Sequence, residues 1–376
     1  MDAINILRFI DNAPIFEIIA AFILAFIFSL MFIPPVVIIS RFKRLLDIPS
    51  GRHVHARAIP RLGGIAIALS IIFSLIIFCG EYQYHLCRYY LLAFIILALL
   101  GVRDDLLSIR PYQKVLGILL STVILFFLAD MQFHHMAGFL GLDSLNIYVS
   151  FLFTVFLVLL ITNSLNLMDG IDGLASGLGM LMAVFFGIYF FIIGELYDAL
   201  FSAVLLGALT AFFYFNVFAH RYKIFMGDTG SLILGFSISI LLVHFNELSA
   251  VSTSPYAVAS APAVAFAIVL VPLMDCLKVV IIRVYNHRSI SCAGREHLHH
   301  YLLALNLRHR QATTIILGLN AIPIIMSLLF NNIGLYNLIT LNVLYGAFAV
   351  TSPNLYAYIH RRIDSWRKVK LSTRDY

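Results

Sequence analysis

Long uninterrupted apolar runs, separated by short polar stretches, set the pattern of this chain. About 20 apolar residues in a helix cross the hydrocarbon core of a bilayer. Eleven such runs are found, at 14–39, 63–80, 86–102, 115–129, 146–162, 174–193, 197–216, 231–245, 257–274, 313–330 and 333–350, the third and eighth being short. Only helices and closed barrels satisfy every backbone group in lipid. A barrel strand would alternate polar and apolar positions, and these runs do not. The pattern predicts an all-α polytopic membrane protein of eleven transmembrane helices.

Composition sharpens this. The chain is 61% hydrophobic and only 12% charged, whereas a soluble domain is about 25% charged. No internal repeat or separate soluble domain is visible, so residues 1–376 read as one transmembrane domain ending in a basic tail, 351–376. No cleavable signal peptide is expected, since the start lacks a basic region and a small-residue cleavage site. Alternate loops 40–62, 103–114, 163–173, 217–230 and 275–312, with the tail, hold 23 of the 25 Lys and Arg. The positive-inside rule places these loops in the cytoplasm, the N-terminus outside and the C-terminus inside. The net charge of +6 then needs no nucleic-acid partner; it suits anionic lipids and phosphates. The four Cys lack metal-like spacing. A Cys79–Cys87 disulfide is open to the chain on the outer side, but two unpaired thiols is the favoured reading.

The polar residues at the ends of these runs carry the candidate chemistry, and all of them fall on the cytoplasmic side. Asn163 to Gly173 reads N-S-L-N-L-M-D-G-I-D-G. Asn166, Asp169 and Asp172 are three apart, which on a helical turn puts them on one face. Their oxygens suit Mg²⁺, which takes few protein ligands and completes its shell from water and substrate phosphates. The bland alternative is an Asn/Asp/Gly turn. Asp104 and Asp105 end the third run, where a helix C-terminus disfavours anions; helix-end solvation is the plain reading and a cation site the sharper one. Lys114 opens the fourth run, as a snorkelling lysine or a phosphate contact.

In Phe225-Met-Gly-Asp-Thr-Gly-Ser231, the glycines allow backbone to approach a ligand. The N–H groups opening the eighth run are expected to face an anion, Asp228 to hold a metal and Phe225 to stack a base; an ordinary capped loop is the alternative. Arg295, His297, His299 and His300 sit in R-E-H-L-H-H. No metalloprotease-type H-E-x-x-H helix accompanies them, so phosphate-contacting donors fit better than zinc ligands. His134 and His135 are expected to be structural. The basic segment from Asp47 through Arg52 and His55 to Gly64 is either a positive-inside anchor or part of the site.

Taken together, D-x-P-x-x-R-x-x-H with P-R-x-G-G, D-D at a helix end, N-x-x-N-x-x-D-G-x-D-G-L, F-M-G-D-T-G-S-L, P-L-x-D and H-x-H-H occur in that order over residues 47–303. This resembles the polyprenyl-phosphate N-acetylhexosamine-1-phosphate transferases of the WecA/MraY superfamily (glycosyltransferase family 4). The histidine block resembles the WecA branch, because Leu298 interrupts the three consecutive histidines usual in the MraY branch. The polar segment 288–296 departs from the family's basic, proline-containing stretch. The resemblance implies an eleven-helix fold in a bacterial plasma membrane with a cytoplasmic site, and allows a homodimer. It implies transfer of N-acetylhexosamine 1-phosphate, with GlcNAc the expected sugar, from a UDP-sugar to a polyprenyl (undecaprenyl) phosphate, with release of UMP. The lipid-linked product would start a cell-envelope glycan such as a lipopolysaccharide O-antigen.

By the same resemblance Asp228 and Asn166 bind Mg²⁺, for which Mn²⁺ is an acceptable substitute. Lys114 meets the lipid phosphate and Phe225 stacks the uracil. Asp104 and Asp105 activate the lipid phosphate or organise its surroundings, with Asp169 and Asp172 in the catalytic set. Asn163, Arg52, His55, Arg295 and the histidines hold substrate.

Three other classes compete. The pentapeptide-carrying peptidoglycan transferase is one. A transporter would place its polar residues near the midplane, not at one face. An intramembrane aspartyl protease would have no use for Lys114, Asn166 or the histidines. Release of UMP from a UDP-sugar separates the transferases from the other two.

Overall fold

The computed structural model of the protein describes residues 13–47, 59–78, 84–139, 141–251, 256–289 and 296–372. The apolar runs fold as helices α1 (Ala13–Phe42), α2 (Gly63–Phe78), α3 (Tyr84–Leu107), α4 (Pro111–Leu128), α5 (Ile147–Leu167), α6 (Leu174–Ile193), α7 (Leu196–Val217) and α8 (Gly227–Val251). Then come α9 (Ala261–Ile268), α10 (Leu270–Tyr285), the short α11 (Leu298–Ala304), α12 (His309–Leu329) and α13 (Leu335–Ser372). Among the described residues eight helices are long and apolar enough to cross a membrane, nine if a bent pair counts as one span. That pair is α9 and α10, which meet at 72°, so the run at 257–274 is a broken helix and not the straight one expected. Its break at Val269 is bridged by a side chain: Asn320 Oδ1 accepts from Val271 N at 3.1 Å and its Nδ2 donates to Ile268 O at 2.8 Å. Buried Asn320 thus meets backbone groups that the bend releases.

Helix ends follow local chemistry. Pro111 opens α4 at a position that needs no N–H, and Asn146 caps α5 by accepting from Tyr148 N and Val149 N at 3.1 and 3.0 Å. α8 is the axis of the bundle: 83% of its spanning window is buried, against 22% for α1. It packs on α3, α5 and α2, while α1 lies across α7 and α2, and α6 lies against α7. Small residues bring α8 close to its neighbours. A Cβ on Gly64 of α2 would lie 2.0 Å from Gly230 N, so neither helix can retreat from the other without losing the contact.

Among the described residues four short strands flank the bundle. β1 (Leu46–Asp47) pairs antiparallel with β2 (Ile59–Pro60), Leu46 opposite Pro60. β3 (His135–Phe139) and β4 (Leu142–Ser144) form a hairpin. Glu247, near the end of α8, holds that hairpin by accepting from His134 N, His135 N and His135 Nδ1 at 2.8, 3.0 and 2.7 Å, so the histidine pair is structural, as expected. The cysteines need a correction. Cys87 is disulfide-bonded, with its partner outside the described residues, and Cys276 is free and buried. Cys87 is fully buried near the start of α3, a segment predicted to face the outer, oxidising side where disulfides persist.

Candidate functional site

The N-terminus of α8 organises the site. Asp105, at the end of α3, accepts from Asp228 N at 2.7 Å, Thr229 N at 3.1 Å and Thr229 Oγ1 at 2.6 Å. The first N–H groups of α8 were expected to face a bound anion; the carboxylate of Asp105 already occupies that place. This also answers why an anion sits at the end of α3: its stabilising partner is the positive end of another helix. Asp105 lies beyond the apolar body of α3. Burial pushes its carboxyl up to about 6, against the opposing hydrogen bonds from Thr229 and Asp228.

Asp104 points elsewhere. Its Oδ1 accepts from Ile109 N at 2.8 Å, closing the turn between α3 and α4, and its Oδ2 pairs with Lys114 Nζ. Lys114 also donates to Asp228 Oδ1 at 2.8 Å. One ammonium therefore ties the ends of three helices, α3, α4 and α8. Asn166 Nδ2 donates to the same Asp228 Oδ1 at 2.9 Å and to Ser231 Oγ at 2.7 Å.

Asn166, Asp169 and Asp172 do not share one helical face. α5 ends at Leu167 with Met168 as its cap, and both carboxylates lie in the turn before α6. A cavity of about 380 Å³ opens there, lined by Arg61, Asn166, Asp169, Gly170, Ile171, Asp172, Asn216, Phe225, Gly227, Asp228 and Ser231. The carboxyl of Asp169 is raised well above its ordinary value, first by burial and then by Asp228, with Arg61 and Gly227 N–H acting the other way. Two neighbouring carboxylates that disfavour each other's charge, beside an amide, are a donor set a hard divalent cation would relieve. Among the described residues no group of three or more His, Cys, Asp or Glu could hold a metal alone, so ligands beyond the protein would have to complete the shell.

Asp172 is committed differently. Its Oδ2 accepts from Lys223 Nζ at 2.5 Å and lies 3.5 Å from His309 Nδ1, while its backbone carbonyl accepts from Thr313 Oγ1 at 2.9 Å. Burial raises its pKa, but the hydrogen bonds from His309 and Lys223 outweigh that and the net shift is downward. It therefore ties the turn to α12 and to the segment before α8. Asn163 is exposed and does not line the cavity; it sits about one helical turn back from Asn166, on the apolar body of α5.

The histidine block is also built into the frame. His297 Nδ1 meets Asp275 Oδ2 at 2.8 Å, while Asp275 Oδ1 accepts from Leu298 N and Lys278 Nζ, each at 2.8 Å. His299 is buried; a Cβ on Gly170 would lie 2.3 Å from its Nε2. Its ring thus packs on the turn carrying Asp169, and burial, with the neighbouring His300 and His297, lowers its pKa to about 3. It is neutral at ordinary pH and keeps one ring N–H as a donor. Arg295, Arg52 and His55 lie outside the described residues.

Sequence reasoning missed Asn216, Lys223, His309 and Asp275 as parts of this assembly, and left the segment that holds Arg61 between an anchor and the site. Asn216 takes Gly173 N at 2.6 Å and gives to Ile224 O at 2.8 Å, stitching the turn to the loop before Phe225. Asp275 carried a signal, standing in the quoted P-L-x-D, but no spacing linked it to the histidines 22 residues on.

These features define a class: a polytopic helical membrane protein with a carboxylate-lined cavity gathered from loops at the polar ends of its helices. The model of glycosyl transferase family 4 matches residues 87–246, from α3 through most of α8. A Bacillus subtilis protein named a probable undecaprenyl-phosphate N-acetylglucosaminyl 1-phosphate transferase is 30% identical over 303 residues, covering 80% of this chain and 81% of its own. The decaprenyl-phosphate N-acetylglucosaminephosphotransferase of Mycobacterium tuberculosis is 30% identical over 313 residues, 75% and 76% of the two chains. The undecaprenyl-phosphate alpha-N-acetylglucosaminyl 1-phosphate transferase of Escherichia coli K12 is 27% identical over 281 residues, 72% of each. The chain belongs to glycosyl transferase family 4.

Proposed function

We propose that the protein transfers N-acetylglucosamine 1-phosphate from UDP-N-acetylglucosamine to undecaprenyl phosphate, at the cytoplasmic face of a bacterial inner membrane. The observation that carries this is the cavity in which Asp169, Asp228 and Asn166 stand beside Phe225, in a chain whose relatives bear transferase names. An oxygen of the lipid phosphate attacks the β-phosphorus of the UDP-sugar. The bond from that phosphorus to the bridging oxygen breaks, UMP leaves with that oxygen, and a polyprenyl-diphosphate sugar remains. Such a transfer needs positioning and charge neutralisation more than covalent help.

Asp169 and Asp228, with the amide oxygen of Asn166, would hold Mg²⁺, which when bound neutralises phosphate charge and orients the transferred group. Lys114 draws the lipid phosphate to the rim where α3, α4 and α8 meet. Phe225 offers its ring to the uracil. The lipid phosphate, with a second pKa of about 6, is already ionised at neutral pH, so no side chain has to deprotonate it. The 23 Lys and Arg gathered in alternate loops favour eleven spans with this end inside.

The test is transfer by the purified chain, with undecaprenyl phosphate, Mg²⁺ and a panel of UDP-sugars. UMP release and a lipid-linked product with UDP-N-acetylglucosamine are expected. A product formed only from the UDP-MurNAc-pentapeptide would overturn the assignment in favour of the peptidoglycan enzyme, and no product from any UDP-sugar would remove the transferase reading.

A further inference from the structure

We propose that Arg61 grips the diphosphate of the nucleotide sugar, at the phosphate that is transferred; the inference rests on the reading above and extends it. The segment Pro60 to Gly64 has two readings from sequence, a positive-inside anchor or part of the site. In the structure its backbone is held in place and Arg61 lines the cavity. Phe225 N donates to Pro60 O at 2.8 Å, Gly63 N to Phe225 O at 2.9 Å, and Gly64 N to Met226 O at 2.8 Å. On its other side Pro60 pairs with Leu46 through β1. Arg61 lies between these anchors, so its Cα cannot drift while the backbone on both sides is held.

Three observations give this residue a ligand. Among the described residues Arg61 is the single Lys or Arg lining the cavity, which also contains Phe225, Asp169 and Asp228. Its carbonyl is so close to Gly227 that a Cβ there would stand 2.0 Å from it, which places Arg61 at the metal-binding end. Asp169 and Asp228 line the same cavity as Arg61, so a phosphate bridged to a cation on those carboxylates would lie within its reach. The side chain is also exposed, within reach of an anion that enters from water.

A guanidinium suits the task. It stays charged, and its planar fork meets two oxygens of one phosphate. Lys114 has a different place: it bridges Asp104 and Asp228 at the start of α4 and does not line the cavity. The two cations therefore divide the two phosphate-bearing substrates, Lys114 for the lipid and Arg61 for the nucleotide. UMP lacks the distal phosphate, so Arg61 should distinguish UDP from UMP.

The experiment measures Kd for UDP and for UMP by calorimetry on the purified full chain with Mg²⁺, for wild type, Arg61→Gln and Arg61→Lys. For Arg61→Gln we expect UDP to bind about tenfold more weakly, the size of one charge-assisted contact, and UMP to be unchanged within about twofold. Arg61→Lys, which keeps the charge and loses the fork, should fall between, and it decides the matter if the glutamine variant does not fold. In the transfer assay KM should rise for the UDP-sugar and not for undecaprenyl phosphate. Equal weakening of UMP and UDP, a KM rise confined to the lipid, or no change overturns the assignment. A wild type that transfers while Arg61→Gln keeps its UDP affinity removes Arg61 alone; a wild type that binds neither nucleotide and releases no UMP removes the function with it.

Discussion

Asp105, at the end of α3, holds Thr229 at the start of α8 twice, through the backbone N–H at 3.1 Å and the hydroxyl at 2.6 Å. With Asp228 N at 2.7 Å, this carboxylate sets the angle at which Asp228 enters the cavity. Two distant motifs, D-D and G-D-T-G-S, are thus halves of one device. The adjacent Asp104 and Asp105 have unlike roles: one closes a turn and meets Lys114, the other caps a helix.

Asp105→Asn should abolish most turnover while the protein still folds. An amide has one acceptor oxygen for three donors, and it cannot oppose the helix dipole. Because the carboxyl is raised to about 6 by burial, wild-type activity should fall as pH drops through about 6, where Asp105 takes up a proton and loses acceptor strength. Alkaline pH should not rescue Asp105→Asn, since the defect is positional. A pH–rate profile between roughly 5 and 9 at saturating Mg²⁺ checks this; recovery at the alkaline end would show that Asp105 is a general base.

Asp228→Asn should abolish turnover with little change in expression. It keeps the shape of the side chain and removes a charge on which both Lys114 and the proposed cation depend. Lys114→Ala should act on the other substrate, raising KM for undecaprenyl phosphate more than for the UDP-sugar. Initial rates with each substrate varied in turn would decide; a KM rise confined to the UDP-sugar would reverse the assignment of Lys114.

Gly227→Ala should be as damaging as loss of a catalytic group. Its φ of 73° is in the left-handed region, which costs a residue with a Cβ about 1–2 kcal/mol. The new methyl would also meet Arg61 O at 2.0 Å and Asp105 Oδ1 at 2.7 Å. We expect turnover to fall at least tenfold and Tm to drop, because the collision separates walls of the cavity. A control at Gly318, where a Cβ meets nothing, should leave both unchanged.

How much of this was legible depends on the range of the interaction. The apolar runs announced their helices, since each run reports its own burial in lipid. The carboxylate motifs stood out because charge at a hydrocarbon boundary is costly. Long-range pairings left no local trace. Nothing near Asp172 points to Lys223 or His309, and nothing in the helical spacing of Asn166, Asp169 and Asp172 says that α5 stops at Leu167. The bend between α9 and α10 was equally silent, because the residue that stabilises it, Asn320, lies on α12.

His299 should make the folded protein less stable in acid. Its ring packs against Gly170, and burial holds its pKa at about 3, whereas a histidine in an unfolded chain titrates near 6.5. The folded-state pKa is depressed, so below pH 6.5 the unfolded state binds the extra proton. The stability this neutral histidine contributes is complete above 6.5 and is lost progressively as pH falls toward about 3. Between pH 7.5 and 5.5 the loss amounts to about 1.4 kcal/mol. His299→Gln cannot take up that proton. Its Tm at pH 7.5 should be lower than that of the wild type, because the ring packing is gone, but its further drop on acidification should be smaller. Thermal unfolding of both proteins in detergent at the two pH values measures the difference. Equal acid sensitivity would mean that His299 is protonated in the folded state.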